Sequence, residues 1–322
     1  LQLYNSNNQS QKSKTCCAGQ DIIDAKRVAD TLGIKHYVFD YEKIFKERVI
    51  DKFAHSYRNG ETPIPCINCN QEVKFQDLLI TAKQLGADVM ATGHYIRRIE
   101  ENNKISLYKA KDISRDQSYF LFNTTLDQLK FLRFPLGNYY KEDVRALAAK
   151  LGLLVADKPD SQDICFVTDG NYAKMIERVD SNKAIPGDIV DLDDNVIGRH
   201  DGIIHFTVGQ RRGIKIGNKD PYYVIKIDAK ENKIVVGGKE SLLVKKINLT
   251  DVNWLTTYNR RNLKLDVKLR STQDAIKANL EENKGNWNVI FNEGESGVSP
   301  GQACVFYDGE KLVGGGWITG VI

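Results

Sequence analysis

Apolar positions in the first third of the chain recur every three to four residues. Ile22, Ala25, Ala29 and Leu32 line one face of a predicted helix, with Gly33 as its stop. The apolar run at 36–40 predicts a short buried strand. Phe45, Val49 and Phe53 mark a second helix, and Val73, Leu78, Ala82 and Leu85 a third, closed by Gly86. Residues 88–91 read as a strand that ends in Thr92-Gly93-His94-Tyr95. Helices alternating with strands predict an open parallel sheet, and such sheets bind ligands beyond the carboxyl ends of their strands. Gly93 and His94 fall there, and a glycine at that point lets a ligand approach the backbone. A hairpin is predicted from 96–99 and 105–108 across Glu101-Asn102-Asn103, and a helix through Val144, Leu147 and Leu151 ends at Gly152. Beyond about residue 170 the pattern changes. Strand-like runs at 189–190, 222–227, 234–236, 263–269, 289–291 and 303–306 alternate with turns rich in Gly and Asn, as in antiparallel sheets or a barrel. The opening Leu1-Gln2-Leu3-Tyr4 reads as the tail of a strand entered midway, so an N-terminal piece is expected upstream, and polar residues 5–13 read as a loop.

Composition narrows the class. A chain of 322 residues accommodates two or three domains, and 41% hydrophobic with 27% charged residues fits a packed globular protein. Net charge is +4, which permits an anionic partner without demanding one. Six cysteines are too sparse for a disulfide scaffold in a chain this long. With no signal-peptide pattern and no apolar run near the ~18 residues of a membrane span, a reducing, cytoplasmic setting and no membrane partner are expected.

Thiols supply the candidate chemistry. Pro65-Cys66-Ile67-Asn68-Cys69-Asn70 stands at the mouth of the third helix, after a loop carrying Gly60 and Pro63. A thiol at a helix N-terminus is stabilised as thiolate by unpaired backbone N–H groups and the dipole. A second thiol, Cys165, lies in Asp160-Ser161-Gln162-Asp163-Ile164-Cys165-Phe166. From the residues alone, Cys69 is a catalytic thiol, half of a zinc site with Cys66, or a buried structural thiol. The zinc reading lacks a second Cys-x-x-Cys, since Cys16 and Cys17 are adjacent. Cys165 alone reads equally as a packed thiol, and Cys304, inside an apolar strand, as core. His94 reads as a satisfied polar residue or an active one. Arg115, Asp116 and Gln117 read as a solvated face. The basic pairs Arg211-Arg212, Lys245-Lys246 and Arg260-Arg261 are surface or RNA contacts.

Several stretches, in order and along essentially the whole chain, resemble the bacterial tRNA-specific 2-thiouridylases. They are Cys69-Asn70 followed by Val73-Lys74-Phe75, Ala91-Thr92-Gly93-His94-Tyr95, and Asp116-Gln117-Ser118-Tyr119-Phe120-Leu121. Asp163-Ile164-Cys165-Phe166, residues 207–213 and residues 300–307 continue the series. The resemblance implies an α/β ATP-pyrophosphatase-type domain with a parallel sheet (1–168), a small central tRNA-contacting domain (169–238) and a C-terminal antiparallel β-barrel (239–322). It implies ATP, with Mg2+ accompanying it, and persulfide sulfur from a donor or relay protein. It also implies a tRNA anticodon loop as substrate, with the wobble uridine becoming 2-thiouridine. Cys69 matches the nucleophile and Cys165 the persulfide carrier, paired in a transient disulfide. Gly93 matches an ATP contact, and His94, Arg115, Asp116, Gln117, Arg270, Ser271 and Gln302 match tRNA contacts; no metal ligand is carried over. Two departures stand out. The family's phosphate-binding Ser-Gly-Gly-x-Asp-Ser is absent and is expected upstream of Leu1; a chain without it that only binds tRNA is the competing reading. Many relatives have Asp where this chain has Cys66, and a thiol does not inherit that role.

Overall fold

The computed structural model describes residues 19–160, 164–167, 170–179, 183–214, 216–217, 221–257 and 263–321. Cys16, Cys17, the 5–13 stretch, residues 161–163, Arg260 and Arg261 lie outside them.

Helices make up most of the first domain's described residues before 90. Gly19–Leu32 stops at Gly33, whose φ of +66° ends the helix. Next, Glu42–Phe45, Lys46–Ile50 and Asp51–Arg58 run on without a break, the middle segment a π-helix, and bury Phe45, Val49 and Phe53 as the periodicity predicts. The cysteine run is built the same way: Pro65–Asn68, a π-helical Cys69–Asp77, then Leu78–Gln84, with Gly86 at φ +79° beyond it. A π turn holds one residue more than an α turn and rotates everything after it. The buried set is therefore Val73, Phe75 and Leu79, not Val73, Leu78, Ala82 and Leu85, and Leu85 is exposed.

The parallel sheet is represented by Met90–Ala91 beside Leu132–Arg133. The predicted strand at 36–40 is corrected: only Asp40 forms a bridge, and Tyr37 and Val38 are 56% and 48% exposed. Among the described residues no strand pairs along it.

The hairpin forms as Ile96–Glu101 and Lys104–Lys109, with Asn102 and Asn103 at φ +50° and +60°. Both central residues of a type I′ turn need positive φ, which Asn tolerates. Its second strand adds to the barrel, pairing Lys311↔Tyr108 and Leu312↔Leu107. The central domain holds a four-stranded sheet in the order Val196–His200, Gly187–Val190, Lys233–Gly237, Tyr223–Asp228. The C-terminal barrel closes six strands antiparallel: Ala303–Asp308, Leu263–Lys268, Ile276–Asn283, Asn286–Glu295, Val244–Trp254 and Lys311–Val321, the last pairing back onto the first. Alternate residues such as Leu265 and Val267, or Val289 and Phe291, fill its interior.

Candidate active site

The cysteine run divides its faces between two cores. Ile67 and Phe75 enter the cluster that joins the hairpin to the barrel, with Ile96, Leu107, Tyr119 and Ala303. Cys69 and Val73 enter a second cluster with Phe45, Phe53, Phe166 and Ile176, and Cys165 packs against that same cluster. The two thiols, far apart in sequence, thus share one apolar environment. Cys69 is 7% exposed, Cys165 half-buried and Cys66 exposed. Phe166 fixes the second loop by packing edge-on against Phe45 and Phe53, at ring distances of 5.8 and 5.2 Å. Cys66 holds the second helical position behind Pro65 and Cys69 the fifth. The dipole's effect is concentrated in the first turn, so its stronger claim is on Cys66. Among the described residues no group of three or more His, Cys, Asp or Glu is gathered as a metal site. Cys304 is fully buried in the barrel, and burial pushes its thiol pKa far up, in keeping with a core role.

Gly93 is exposed just past the carboxyl end of Met90–Ala91. A methyl group on it would meet only Leu136 Cδ1, at 3.9 Å. Among the described residues nothing else crowds it, which suits close approach of a nucleotide. His94 follows, its Nδ1 2.8 Å from Thr92 Oγ1 and its ring edge-on to Phe75 and Phe134 at 5.9 and 6.5 Å. Burial, helped by the nearby Lys74 ammonium, lowers its pKa to about 3, so the imidazole is neutral near pH 7. Lys74 donates to Asn70 Oδ1 at 3.0 Å, and Asn70 is itself buried and donates to the Phe120 carbonyl at 3.3 Å. Lys74 was not singled out from the sequence as a site residue. Its signal was there: a lysine between the buried Val73 and Phe75 must reach past an apolar face to find a partner.

The residues matched to tRNA contacts hold defined positions. Arg115 is exposed and pairs with Asp160 at 2.9 Å, and Asp160 also takes Lys141 at 2.8 Å. Lys141 in particular holds the Asp160 carboxyl below its ordinary pKa. Asp116 caps its own turn, accepting from Ala110 N–H at 2.9 Å and from the Ser118 hydroxyl at 2.6 Å. Gln117 accepts from Tyr95 N–H through Oε1, while its own N–H donates to the Tyr95 carbonyl, both at 2.9 Å. Asp116 and Gln117 are therefore scaffold as well as surface. The next residue but one, Tyr119, plunges into the barrel mouth and donates towards the carbonyls of Leu269 and Ala303, at 3.1 and 3.0 Å. Those carbonyls adjoin Arg270 and Gln302. One buried phenol thus gathers 115–117, 270–271 and 302 at one rim. Arg270 lies 3.9 Å from Glu295 and donates to the Ser296 carbonyl at 3.4 Å, and Ser271 beside it is half-buried. Gln302 donates to the Thr62 carbonyl at 2.8 Å, four residues before Cys66. Arg211 and Arg212 are exposed on the central domain.

A domain of helices with a short parallel sheet, a small four-stranded domain and a closed six-stranded antiparallel barrel define a three-part protein of the HUP-and-barrel class. Family models agree segment by segment: a tRNA methyl transferase HUP domain over residues 1–169, a tRNA methyl transferase PRC-barrel domain over 174–238, and an aminomethyltransferase beta-barrel domain over 244–318. The chain is 53% identical to the tRNA-specific 2-thiouridylase MnmA of Maricaulis maris, over 99% of this chain and 80% of that protein. It is 52% identical to proteins of the same name from Wolbachia pipientis and Rickettsia massiliae, over 99% of this chain and 86% and 88% of theirs. The chain belongs to the tRNA-specific 2-thiouridylase family. Among the described residues no helix is long and apolar enough to cross a membrane.

Proposed function

We propose that this protein is an ATP-dependent tRNA sulfurtransferase that makes 2-thiouridine at the wobble position. One observation carries the reading: Cys69 and Cys165, remote in sequence, pack against the same apolar cluster. ATP supplies the activation, turning the C2 oxygen of uracil into a group that leaves as AMP. Gly93, whose lack of a side chain leaves only Leu136 near it among the described residues, admits the nucleotide to the end of the strand, and Mg2+ accompanies the phosphates. His94 offers a neutral hydrogen-bonding edge, not a charge, to the anticodon loop. The Lys74 ammonium, close enough to act on the imidazole, is suited to an anionic group.

In the sulfur chemistry Cys165 carries a persulfide received from a donor protein. In one route its terminal sulfur bonds to C2 as AMP leaves; the Cys69 thiolate then attacks the Cys165 sulfur, releases the C2 thiocarbonyl and forms a Cys69–Cys165 disulfide. In the other, Cys69 attacks first and frees hydrosulfide, which attacks C2. Either way two cysteine thiols are oxidised, the sulfane sulfur is reduced, and an external thiol resets the pair. The apolar setting of Cys69 keeps water from competing with sulfur. A flipped uridine suits a pocket of this kind, because an anticodon loop can splay its bases. The test is nucleoside analysis of tRNA from cells that depend on the complete gene carrying Cys165→Ser. Loss of 2-thiouridine is expected; an unchanged level overturns the persulfide role.

A further inference from the structure

Residues 60–62 lie where the three domains meet. Gly60, at φ +73°, abuts the central domain so closely that a Cβ would stand 2.8 Å from Ile227 Cγ2 and 3.1 Å from the Ile227 carbonyl oxygen. From the other side comes the barrel turn 299–302. A Cβ on Gly301, at φ +86°, would stand 2.9 Å from Glu61 Cβ and 3.1 Å from Thr62 N. Thr62 spends every polar atom it has on this turn. Its N–H donates to the Pro300 carbonyl, its carbonyl accepts from Gln302 Nε2, and its hydroxyl pairs with Ser299 Oγ, each at 2.8 Å. Ser299 is 3% exposed, so the hydroxyl pair is shielded from water. The turn is in turn fixed to the barrel, Gly301 N–H donating to the Ile318 carbonyl and Ile318 N–H to the Gln302 carbonyl.

This grip is mechanically coupled to Cys69. The intervening sequence is Thr62-Pro63-Ile64-Pro65, and Pro65 begins the cysteine run. Each proline fixes its own φ and restricts the residue before it, so few soft dihedrals separate Thr62 from the helix. Ile64 and Ile67 pack into the hairpin–barrel cluster on the way. We propose that Thr62 is a positioning residue for sulfur transfer: the barrel turn and the central domain grip residues 60–62 and so set where the Cys69 sulfur stands relative to Cys165. The proposal rests on the reading of those two cysteines as the working pair. It gives the barrel a role beyond holding RNA, and makes Gln302 a contact to the cysteine loop as well as a matched tRNA contact.

The test uses the full protein and diamide, which takes up two electrons and two protons as the two thiols join. Cys69–Cys165 disulfide formation is timed by peptide mass spectrometry after acid quench, with alkylation of buried Cys304 as the monitor of folding. Thr62→Val keeps the shape and removes the hydroxyl pair; Gly301→Ala drives a methyl group into Glu61 and Thr62. Disulfide formation is expected to slow about threefold in the first and about tenfold in the second, the scale on which sub-ångström misplacement acts. Thr62→Ser restores the hydroxyl and the wild-type rate, while tRNA affinity and Cys304 protection stay unchanged in both Thr62 variants. Unchanged disulfide rates in Thr62→Val and Gly301→Ala, or a Thr62→Ser variant as slow as Thr62→Val, overturn the proposal. A wild-type protein that forms no Cys69–Cys165 disulfide overturns the cysteine pairing and the positioning role with it.

Discussion

Acid should weaken the first domain through one imidazole. His94 sits between Phe75 and Phe134, with the Lys74 charge close by, and its pKa falls from the ordinary 6.5 to about 3. In the unfolded chain the same ring titrates near 6.5. Below that value the unfolded state binds a proton that the folded state refuses, so stability is lost as pH falls and the loss grows until about pH 3. Each unit is worth about 1.36 kcal/mol, which makes the full gap about 5 kcal/mol and the share already lost near pH 5 about 2 kcal/mol. His94→Gln keeps a polar side chain and removes the titration. Urea unfolding of both proteins at about pH 8 and about pH 5 isolates the effect, because every other titrating group, His200 included, is common to both. The difference in unfolding free energy should move by about 2 kcal/mol in favour of the variant on going to the lower pH. Parallel pH profiles, or an NMR titration that places His94 near its ordinary value, would refute the reasoning.

Other consequences follow from contacts at the rim and in the barrel. Tyr119→Phe strips a donor from the Leu269 and Ala303 carbonyls; a loss of about 1–3 kcal/mol, read by thermal or urea unfolding, should come with weaker tRNA binding. Asp160→Asn releases Arg115 and Lys141 from a shared carboxylate. Because these pairs are partly exposed, stability should change by less than about 1 kcal/mol, while tRNA affinity rises and its salt dependence steepens. Iodoacetamide on the native protein should label Cys66 well before Cys304, which reacts only on unfolding, as peptide mass spectrometry would register.

Local rules made much of this fold legible. Gly33, Gly86 and Gly152 all take the positive φ expected where helices stop, and Asn102-Asn103 makes the turn its residues favour. The strand-like runs between Gly- and Asn-rich turns after 170 foretold strands, though Val196–His200, Val244–Trp254, Ile276–Asn283 and Lys311–Val321 lie outside those runs. What was hidden was long-range. A π turn changes hydrogen-bond register without any residue that announces it, so the buried face of the cysteine run shifted from Leu78 to Leu79. The run 36–40 has strand composition, yet Tyr37 and Val38 stay exposed and only Asp40 forms a bridge, and composition does not say which neighbours a strand finds. That the hairpin continues the barrel, or that Tyr119 reaches Leu269 and Ala303, depends on contacts between residues remote in sequence.

The candidate site divides in the same way. Cys69, Cys165, Gly93 and the rim residues were named from motifs. Their arrangement came from burial: the packing of Phe166 on Phe45 and Phe53 seats the second cysteine loop on the apolar cluster that also holds Cys69. Asp116 and Gln117 prove to hold the backbone near Tyr95 and Ala110, so substituting either disturbs the surface it supports. Thr62 gave no signal at all in sequence, because a threonine before a proline is ordinary until three hydrogen bonds to a distant turn are seen on it.

The most direct measurement is a single turnover on unmodified tRNA with ATP, protein carrying one persulfide and no reductant, followed by counting both products. The account predicts one Cys69–Cys165 disulfide for each 2-thiouridine formed. Accumulation of 2-thiouridine while both thiols stay reduced would contradict it.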